Sequence, residues 1–334
     1  QESMPNSKRE ISEVELSERI RQREQIPFSV WDNKVRMSIA GFQDKIAAFR
    51  EEGKLFLVEG SLASTHILKP IPKADVLKNL VINEFFCMSL AKNIKLDVAK
   101  VEIMRVPEAV LVVERFDRKI TANNVDRIHI IDGCQALGMP PRHKYERIFG
   151  GGADVQHVRD GVSLPKLFSL TSLADNKALE SVKLLRWALF QYLIGNVDAH
   201  GKNLSYFVED EGIKLAPAYD LVAGEMHDCY SHDIGMGIGD EFRFSQVGAF
   251  DWAEFGSTCG LKSDLLDREM RRIAKLTSEA IDNMVITDIC VNQEEIDYLY
   301  SLSVFIKNRA NNMAADAALI SEVDKGMLSR AWRP

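Results

Sequence analysis

The chain has 334 residues, of which 46% are hydrophobic and 27% charged, and its formal net charge is −7. This composition is that of an ordinary globular protein, and the length suits one large domain or two medium ones. The acidic balance argues against broad nucleic-acid binding by this chain alone, and five Cys without a C-x-x-C pair argue against a disulfide framework or a thiolate zinc site.

The first part of the sequence is polar and then becomes strand-forming. Residues 1–34 predict a polar lead-in with helical stretches, and they lack the apolar segment of a secretory signal. Residues 35–119 predict a mostly antiparallel sheet with one inserted helix between Val76 and Lys92, where apolar residues approximate helical spacing. No apolar run approaches the ~20 residues that cross a bilayer. We therefore expect a cytoplasmic protein without a membrane partner.

The second part of the sequence is mainly helical. Residues 120–165 are rich in turn formers and predict a connector. In the long helical pattern that follows, Asp175 or Asn176 can cap the start and Gly195 can end the helix, and residues 260–334 hold three more helical patterns. The whole predicts an α+β architecture with a small β-rich lobe, a larger mainly helical lobe, and a ligand site in the cleft between them.

A candidate catalytic loop follows the first long helix. In "GNVDAHGKN" Asp198 and Asn203 are five residues apart, the interval found in the kinase catalytic loop H-R-D-x-x-x-x-N. There the Asp accepts the proton of the substrate hydroxyl, and the Asn oxygen binds magnesium. Asp220 comes after a predicted hairpin with Glu211-Gly212 at its turn, where kinases place their main magnesium ligand. Each segment alone is more often a polar loop, but their order favours kinase chemistry.

Phosphate binding must come from upstream residues. Neither G-x-x-x-x-G-K-[ST] nor G-x-G-x-x-G occurs, which excludes a P-loop phosphotransferase. The best candidate loop is "SIAGFQDK", in which small residues allow close backbone approach and Lys45 can reach phosphate. Lys69 ends an apolar strand, where a charge needs a partner, and Glu84 lies on the following helix where that partner is expected. Backbone groups at Glu114 and Phe116 are candidates for binding the adenine edge.

Five segments together resemble the HipA family, the serine/threonine kinase toxins of bacterial toxin–antitoxin systems. They are "SIAGFQDK", "STHILKP", "VERFDRK", "LIGNVDAHGKN" and "LAPAYDLV", in this order between about Val35 and Val222. The resemblance implies a bilobal protein-kinase-like fold and a Mg-ATP-dependent serine/threonine kinase, with a β-rich nucleotide-binding lobe at 35–119 and the catalytic loop in a helical lobe at 120–334.

The same resemblance implies roles for single residues. Asp198 would be the catalytic base, Asn203 and Asp220 would hold magnesium, and Ser38 would be autophosphorylated, which switches the kinase off. The phosphate on Ser38 would add negative charge beside the ATP loop and could eject that loop from the cleft. The implied ATP-binding residues are Ala40, Gly41, Phe42, Gln43, Asp44, Lys45, Lys69, Glu114, Arg115, Phe116, His200, Gly201, Lys202, Asn203, Tyr219 and Asp220.

The resemblance also implies partners. These are a small helix-turn-helix antitoxin dimer of the HipB type, operator DNA bound mainly through that antitoxin, and glutamyl-tRNA synthetase as the protein substrate whose phosphorylation arrests growth. Members of the family carry a longer N-terminal subdomain, so residues 1–34 are interpreted as its remnant, with the rest truncated, absent or supplied by a partner.

The sequence departs from the kinase pattern at two positions. Asp220 is followed by Leu-Val rather than Phe-Gly, and His200 stands two residues after Asp198, where many protein kinases place Lys. Lys202 is a candidate for supplying that charge to phosphate. Two other functions stay open: a small-molecule, antibiotic-type phosphotransferase, and a catalytically silent co-repressor in which the basic cluster at 267–275 touches DNA.

Overall fold

The computed structural model describes residues 6–36, 43–121 and 124–323. Their fold is mixed α+β, as the sequence predicts. The chain forms two compact units, and each is made from two separate stretches. The first unit is Gln1–Met88 with Ala99–His129, and the second is Ser89–Val98 with Ile130–Pro334.

The first unit is built on an antiparallel sheet with the strand order β1-β5-β4-β6-β8-β7. Its elements in chain order are β1 (Ser7–Ile11), α1 (Glu13–Arg21), β2 (Val30–Trp31), β3 (Lys34–Val35), β4 (Ile46–Glu51), β5 (Lys54–Glu59), β6 (His66–Pro70), α2 (Leu80–Asn93), β7 (Val101–Arg105), β8 (Ala109–Glu114), β9 (Arg118–Ile120) and β10 (Val125–Arg127).

The core of this unit follows from the alternation of side chains along each strand. Leu68 of β6 packs in one buried cluster with Leu16 and Ile20 of α1. Since successive strand residues point to opposite faces, Lys69 lies on the other face of the sheet. Glu84 of α2 meets it there.

The N-terminal segment belongs to this sheet. Strand β1 pairs antiparallel with β5, from Ser7 opposite Glu59 to Ile11 opposite Leu55. The helical stretch predicted for residues 1–34 is present as α1, but the edge strand before it was not predicted. This segment is therefore part of the folded unit, and its origin as a subdomain remnant stays a prediction.

The second unit combines helices with short sheets. Its elements are β11 (Ile130–Asp132), α3 (Gly133–Ala136), α4 (Leu164–Ser169), α5 (Lys177–Ile194), β12 (Ser205–Glu209), β13 (Gly212–Leu215), β14 (Asp233–Ile238), β15 (Glu241–Arg243), α6 (Ala249–Thr258), α7 (Ser263–Asn283) and α8 (Gln293–Leu319).

Helix α5 begins and ends as its sequence predicts. Asn176 is the N-cap, and its side chain accepts the backbone N–H of Leu179 at 3.0 Å. Gly195 ends the helix with a left-handed φ of 66°. The predicted hairpin after Asn203 is also present as β12 and β13, but its turn lies one residue earlier than predicted, because Gly212 already belongs to β13.

Of the three helical patterns predicted for residues 260–334, the described residues form two α-helices, α7 and α8. Residues 324–334 lie outside the described ranges. Within the ranges that are described, no helix combines the length and the apolar character that a membrane crossing requires.

Candidate active site

Asn196 anchors the loop that carries Asp198. Its side-chain amide donates to Gln191 Oε1 at 2.8 Å and to the Asp220 carbonyl at 3.2 Å. Its Oδ1 accepts the backbone N–H of Asp198 at 3.1 Å. One buried side chain therefore connects the end of α5, the loop and the backbone of Asp220. The sequence alone suggested no role for Asn196.

Asp198 presents its carboxylate to solvent and is held from one side by Tyr145. The Asp198 side chain is 54% exposed, and the Tyr145 hydroxyl donates to its Oδ1. Burial, followed by the nearby negative charge of Asp198, raises the pKa of Tyr145. Tyr145 thus stays protonated at neutral pH and remains a donor. A carboxylate that is oriented yet accessible is what a general base needs.

Asn203 is oriented by the same loop. It is buried, and its Nδ2 donates to the Asp198 backbone carbonyl at 2.9 Å. In an amide the oxygen points away from the nitrogen, so Oδ1 is directed away from this contact. Asp220 has a left-handed φ of 53°, a conformation that is uncommon outside glycine and clusters at functional sites.

These two residues offer the chemistry that magnesium prefers. An amide oxygen and a carboxylate are hard ligands, and magnesium is commonly held by one or two protein groups together with substrate phosphates. Within the described ranges no group of three or more His, Cys, Asp or Glu could hold a metal ion. By their ligand chemistry alone, Asn203 and Asp220 fit a magnesium ion shared with a phosphate ligand.

Lys202 and Tyr219 have structural contacts of their own. Lys202 Nζ pairs with Asp132 Oδ2 at 2.6 Å, and Asp132 also caps α3. The Tyr219 hydroxyl donates to the Lys202 carbonyl at 2.8 Å and lies 2.8 Å from Ser205 Oγ. Burial raises the pKa of Tyr219, which keeps its hydroxyl protonated. These contacts hold the end of the loop against the hairpin that precedes Asp220.

His200 is a buried, neutral side chain between Asp198 and a lysine. Its Nε2 lies 3.6 Å from Asp198 Oδ1 and 2.8 Å from Lys144 Nζ. Burial lowers the pKa of His200 to about 4, although Asp198 opposes the shift. The His200–Asp198 contact is therefore not an ion pair at neutral pH. Gly201 follows and donates its N–H to the Lys144 carbonyl at 2.9 Å.

Lys69 and Glu84 form a buried ion pair in the first unit. Lys69 Nζ lies 2.6 Å from Glu84 Oε1, and their side chains are only 7% and 2% exposed. The partner expected for Lys69 from the sequence is thus present. This ion pair holds the Lys69 side chain in place against Glu84 of α2.

The remaining predicted ATP-binding residues of the first unit lie before β4 and after β8. Gln43 Nε2 donates to the Pro70 carbonyl at 3.3 Å, and Asp44 lies 4.0 Å from Arg23, with Lys45 directly before β4. Glu114 is the last residue of β8, and its carboxylate pairs with Lys100. Arg115, directly before Phe116, donates from Nε and Nη2 to the Asp117 carboxylate at 3.0 and 2.7 Å. The predicted residues Ser38, Ala40, Gly41 and Phe42 lie outside the described residues.

Two residues that contact the candidate catalytic loop were not predicted from the sequence. They are Lys144, 56 residues before its contact His200, and Tyr145, 53 residues before its contact Asp198, and both come from the connector. They lie in a segment with no regular periodicity, and no local spacing links them to Asp198. Only the folded structure brings them together.

Comparisons with known proteins give a consistent result. The model of the HipA-like C-terminal domain matches residues 37–284. The serine/threonine-protein kinase toxin HipA of Shewanella oneidensis is 39% identical over 294 residues, which is 87% of this chain and 67% of that protein. The chain spans about two thirds of the length of the curated relatives it matches first.

Solved structures agree. The complex of HipA, HipB and operator DNA from Shewanella oneidensis MR-1 contains a chain that matches with a TM-score of 0.85 and 36% identity, covering 95% of this chain and 74% of that one. The Helicobacter pylori proinflammatory kinase CtkA matches with a TM-score of 0.54 at 13% identity, covering 88% of this chain and 96% of that one, which is a likeness of fold.

Proposed function

The chain belongs to the HipA family, and on that premise we propose that it is an ATP-dependent serine/threonine protein kinase with a bilobal arrangement, a β-rich nucleotide-binding lobe at 35–119 and a helical lobe at 120–334. The observation that supports this most directly is the loop in which Asn196 and Tyr145 orient Asp198, while the Asn203 amide nitrogen is bound to the backbone of the same loop. A relative at 39% identity is the serine/threonine-protein kinase toxin HipA of Shewanella oneidensis.

Asp198 would act as the general base of phosphoryl transfer. It takes the proton of the acceptor serine or threonine hydroxyl, and the hydroxyl oxygen forms a bond to the γ-phosphorus of ATP. The bond between that phosphorus and the bridging oxygen breaks, and ADP leaves with the electron pair. Positioning and charge stabilisation are the main contributions of a protein to this reaction.

Asn203 and Asp220 would hold magnesium, which neutralises charge on the phosphates when it is bound. The same loop would contact ATP through His200, Gly201 and Lys202. Tyr219, whose hydroxyl donates to the Lys202 carbonyl, would line the same nucleotide site. In the first unit Lys69 would bind phosphate, held in place by Glu84, and the segment 40–45 would cover the phosphates. Residues 114–116 would meet the adenine.

We further propose that the kinase is the toxin of a toxin–antitoxin module. A relative has been solved with HipB and operator DNA, and the acidic charge of this chain suits an assembly in which a helix-turn-helix antitoxin contacts the DNA. Autophosphorylation of Ser38 would switch the kinase off, and the protein substrate would be glutamyl-tRNA synthetase. We expect the protein to act in the cytoplasm, where both ATP and that substrate occur.

The experiment that tests the activity is mass measurement of the intact protein after incubation with Mg-ATP. The wild type should gain phosphate, located on Ser38 by fragmentation, and Asp198→Asn should gain none because the base is lost. Transfer to a protein acceptor by the wild type and not by the variant would extend the result. Equal phosphate incorporation by Asp198→Asn would refute the assignment of the base.

A further inference from the structure

A cation lies beside the catalytic loop and comes from outside it. We propose that Lys144 is a catalytic residue that contacts the γ-phosphate of ATP, in the role for which many protein kinases use a lysine of the catalytic loop itself. The inference rests on the proposed kinase function and deepens it. Lys144 Nζ is 2.8 Å from His200 Nε2, and His200 Nε2 is 3.6 Å from Asp198 Oδ1.

Lys202, the lysine within the loop, forms an ion pair elsewhere. Lys202 Nζ is 2.6 Å from Asp132 Oδ2, and the carboxylate is largely buried. Only the backbone N–H of Lys202 is directed at His200, 3.2 Å from Nδ1. The sequence suggested that Lys202 compensates for the histidine at the second position after Asp198. In the folded protein it is the side chain of Lys144 that contacts that histidine.

The backbone around Lys144 is held from several sides. Its carbonyl accepts the N–H of Gly201 at 2.9 Å, so the segment is tied to the catalytic loop itself. Two residues on, Glu146 donates its N–H to the Gly235 carbonyl at 3.1 Å. A side-chain carbon on Gly161 would lie 1.8 Å from the Tyr145 carbonyl, so this close approach requires glycine there. Such fixed positioning is typical of groups that stabilise charge during a reaction.

The ammonium group of Lys144 has protons to spare for a phosphate. It lies 4.7 Å from the centre of the Tyr145 ring, which favours a cation at that place. An ammonium carries three N–H donors, while a single ring nitrogen of His200 accepts at most one. The Lys202 N–H faces the other ring nitrogen, and a neutral imidazole has only one acceptor, so His200 cannot satisfy both donors. Lys144 is partly exposed, so its remaining N–H donors are open to water and can bind a phosphate.

The role predicts a specific loss of affinity for the γ-phosphate. The test is isothermal calorimetry of the full chain with Mg-ADP and with the non-hydrolysable analogue Mg-AMP-PNP. Lys144→Gln keeps a donor for His200 and removes the charge, whereas Lys144→Arg keeps the charge. We expect Lys144→Gln to bind Mg-AMP-PNP about tenfold more weakly or worse, with Mg-ADP affinity nearly unchanged. Lys144→Arg should retain most of the difference between the two nucleotides.

Turnover gives the second readout. Lys144→Gln should lower kcat about 100-fold with a smaller change in KM, and Lys144→Arg should recover part of the rate. Lys307→Gln is the matched control, since Lys307 of α8 pairs with Asp282 of α7 and has no assigned role. Thermal unfolding checks that each variant is folded.

The outcomes separate the two proposals. If the wild type transfers phosphate and Lys144→Gln matches it in kcat and in nucleotide preference, the role of Lys144 is wrong and the kinase stands. The wild type could transfer no phosphate yet prefer Mg-AMP-PNP over Mg-ADP, with that preference absent in Lys144→Gln. In that case the kinase proposal fails and the phosphate contact stands. Equal weakening of both nucleotides would reduce Lys144 to a structural residue and overturn the proposal.

Discussion

At the scale of single residues, the buried Lys69–Glu84 pair allows stability and the proposed nucleotide binding to be tested separately. Both side chains are almost fully removed from water, at 7% and 2% exposure, and the charged atoms are 2.6 Å apart. Burying two charges costs about as much as their attraction returns, so the intact pair adds little net stability. Removing one partner is different, because it leaves an uncompensated charge in a medium of low polarity.

We predict that Glu84→Gln lowers the free energy of unfolding by about 3 kcal/mol and also weakens Mg-ATP binding. The double variant Lys69→Met/Glu84→Met should regain most of the stability, because no buried charge is left, while nucleotide binding stays lost. Urea unfolding measures the first effect and calorimetry the second. A double variant that is as unstable as the single one, or that binds Mg-ATP like the wild type, would contradict this account.

The residues of the candidate site differ in how far a sequence can predict them. Asp198 and Asn203 lie on one short loop, so their spacing carries the signal directly. The Lys69–Glu84 pair was also predictable, because a lysine near the end of an apolar strand needs a partner and the next helix supplies it, although β6 continues to Pro70. Lys144 and Tyr145 were not, since their contacts with the loop depend on the path of an irregular connector.

At the scale of elements, the end of α5 determines the path of the chain into the candidate catalytic loop. Gly195 adopts a φ of 66° there. The Arg309 guanidinium of α8 grips Glu225 with contacts of 2.7 and 3.1 Å, directly beside this glycine. A side-chain carbon on Gly195 would lie 2.9 Å from Glu225 and 3.0 Å from both Arg309 and Phe305. The end of the helix therefore requires glycine for two reasons: the left-handed φ disfavours other residues, and the neighbouring side chains leave no space for a side-chain carbon.

Gly195→Ala and Gly138→Ala form a matched pair that separates the two requirements. Gly138 has nearly the same φ, 65°, but nothing lies within 4 Å of the position of an added carbon. Gly138→Ala should lower the free energy of unfolding by about 1 kcal/mol, from backbone strain alone. Gly195→Ala should lower it by clearly more and also reduce phosphate transfer, because Asn196 and Asp198 follow directly.

Chemical denaturation and the intact-mass assay test this pair. Equal stability losses in the two variants would show that the contacts around Gly195 yield without cost. A full loss of phosphate transfer in Gly138→Ala would show that the effect is not local to the catalytic loop.

Helices whose ends are marked by capping residues were predictable from the sequence. Strands that form only by pairing with a distant strand were harder to predict. Asn176 and Gly195 mark α5 by the chemistry of helix ends. Strand β1 was missed because "SKREI" lacks apolar alternation, and of its five residues only Ile11 is fully buried. As an edge strand it needs only one partner, β5, so its side chains can remain mostly polar.

At the scale of the whole molecule, chain order does not give sheet order. Strand β1 lies next to β5 rather than β2, and β6 pairs with β8. Such long-range pairings depend on the burial of whole faces, which no short window of sequence reports. Overall composition, in contrast, is directly informative about association, since net charge acts on any partner that approaches.

The net charge of −7 and the pairing of surface bases both bear on DNA binding. Affinity for DNA comes largely from basic side chains that neutralise phosphates. In the one basic cluster that the sequence offered, on α7, Arg271 pairs with Asp267 at 2.5 Å and Arg272 with Glu269 at 3.4 Å. Lys275 lies 3.7 Å from Glu279. Acidic side chains of the same helix thus lie beside these bases, which weakens the case for direct contact with DNA.

We therefore predict that the chain alone does not bind operator DNA at about 0.15 M salt, and that binding appears only with its antitoxin. Fluorescence anisotropy with labelled operator DNA measures both states, and the dependence of affinity on salt counts the phosphates that are neutralised. Arg268→Glu/Arg271→Glu should leave the affinity of the complex and its salt dependence unchanged. A fall in both would place α7 on the DNA, and tight binding by the chain alone would show that local basic surface outweighs its net acidity.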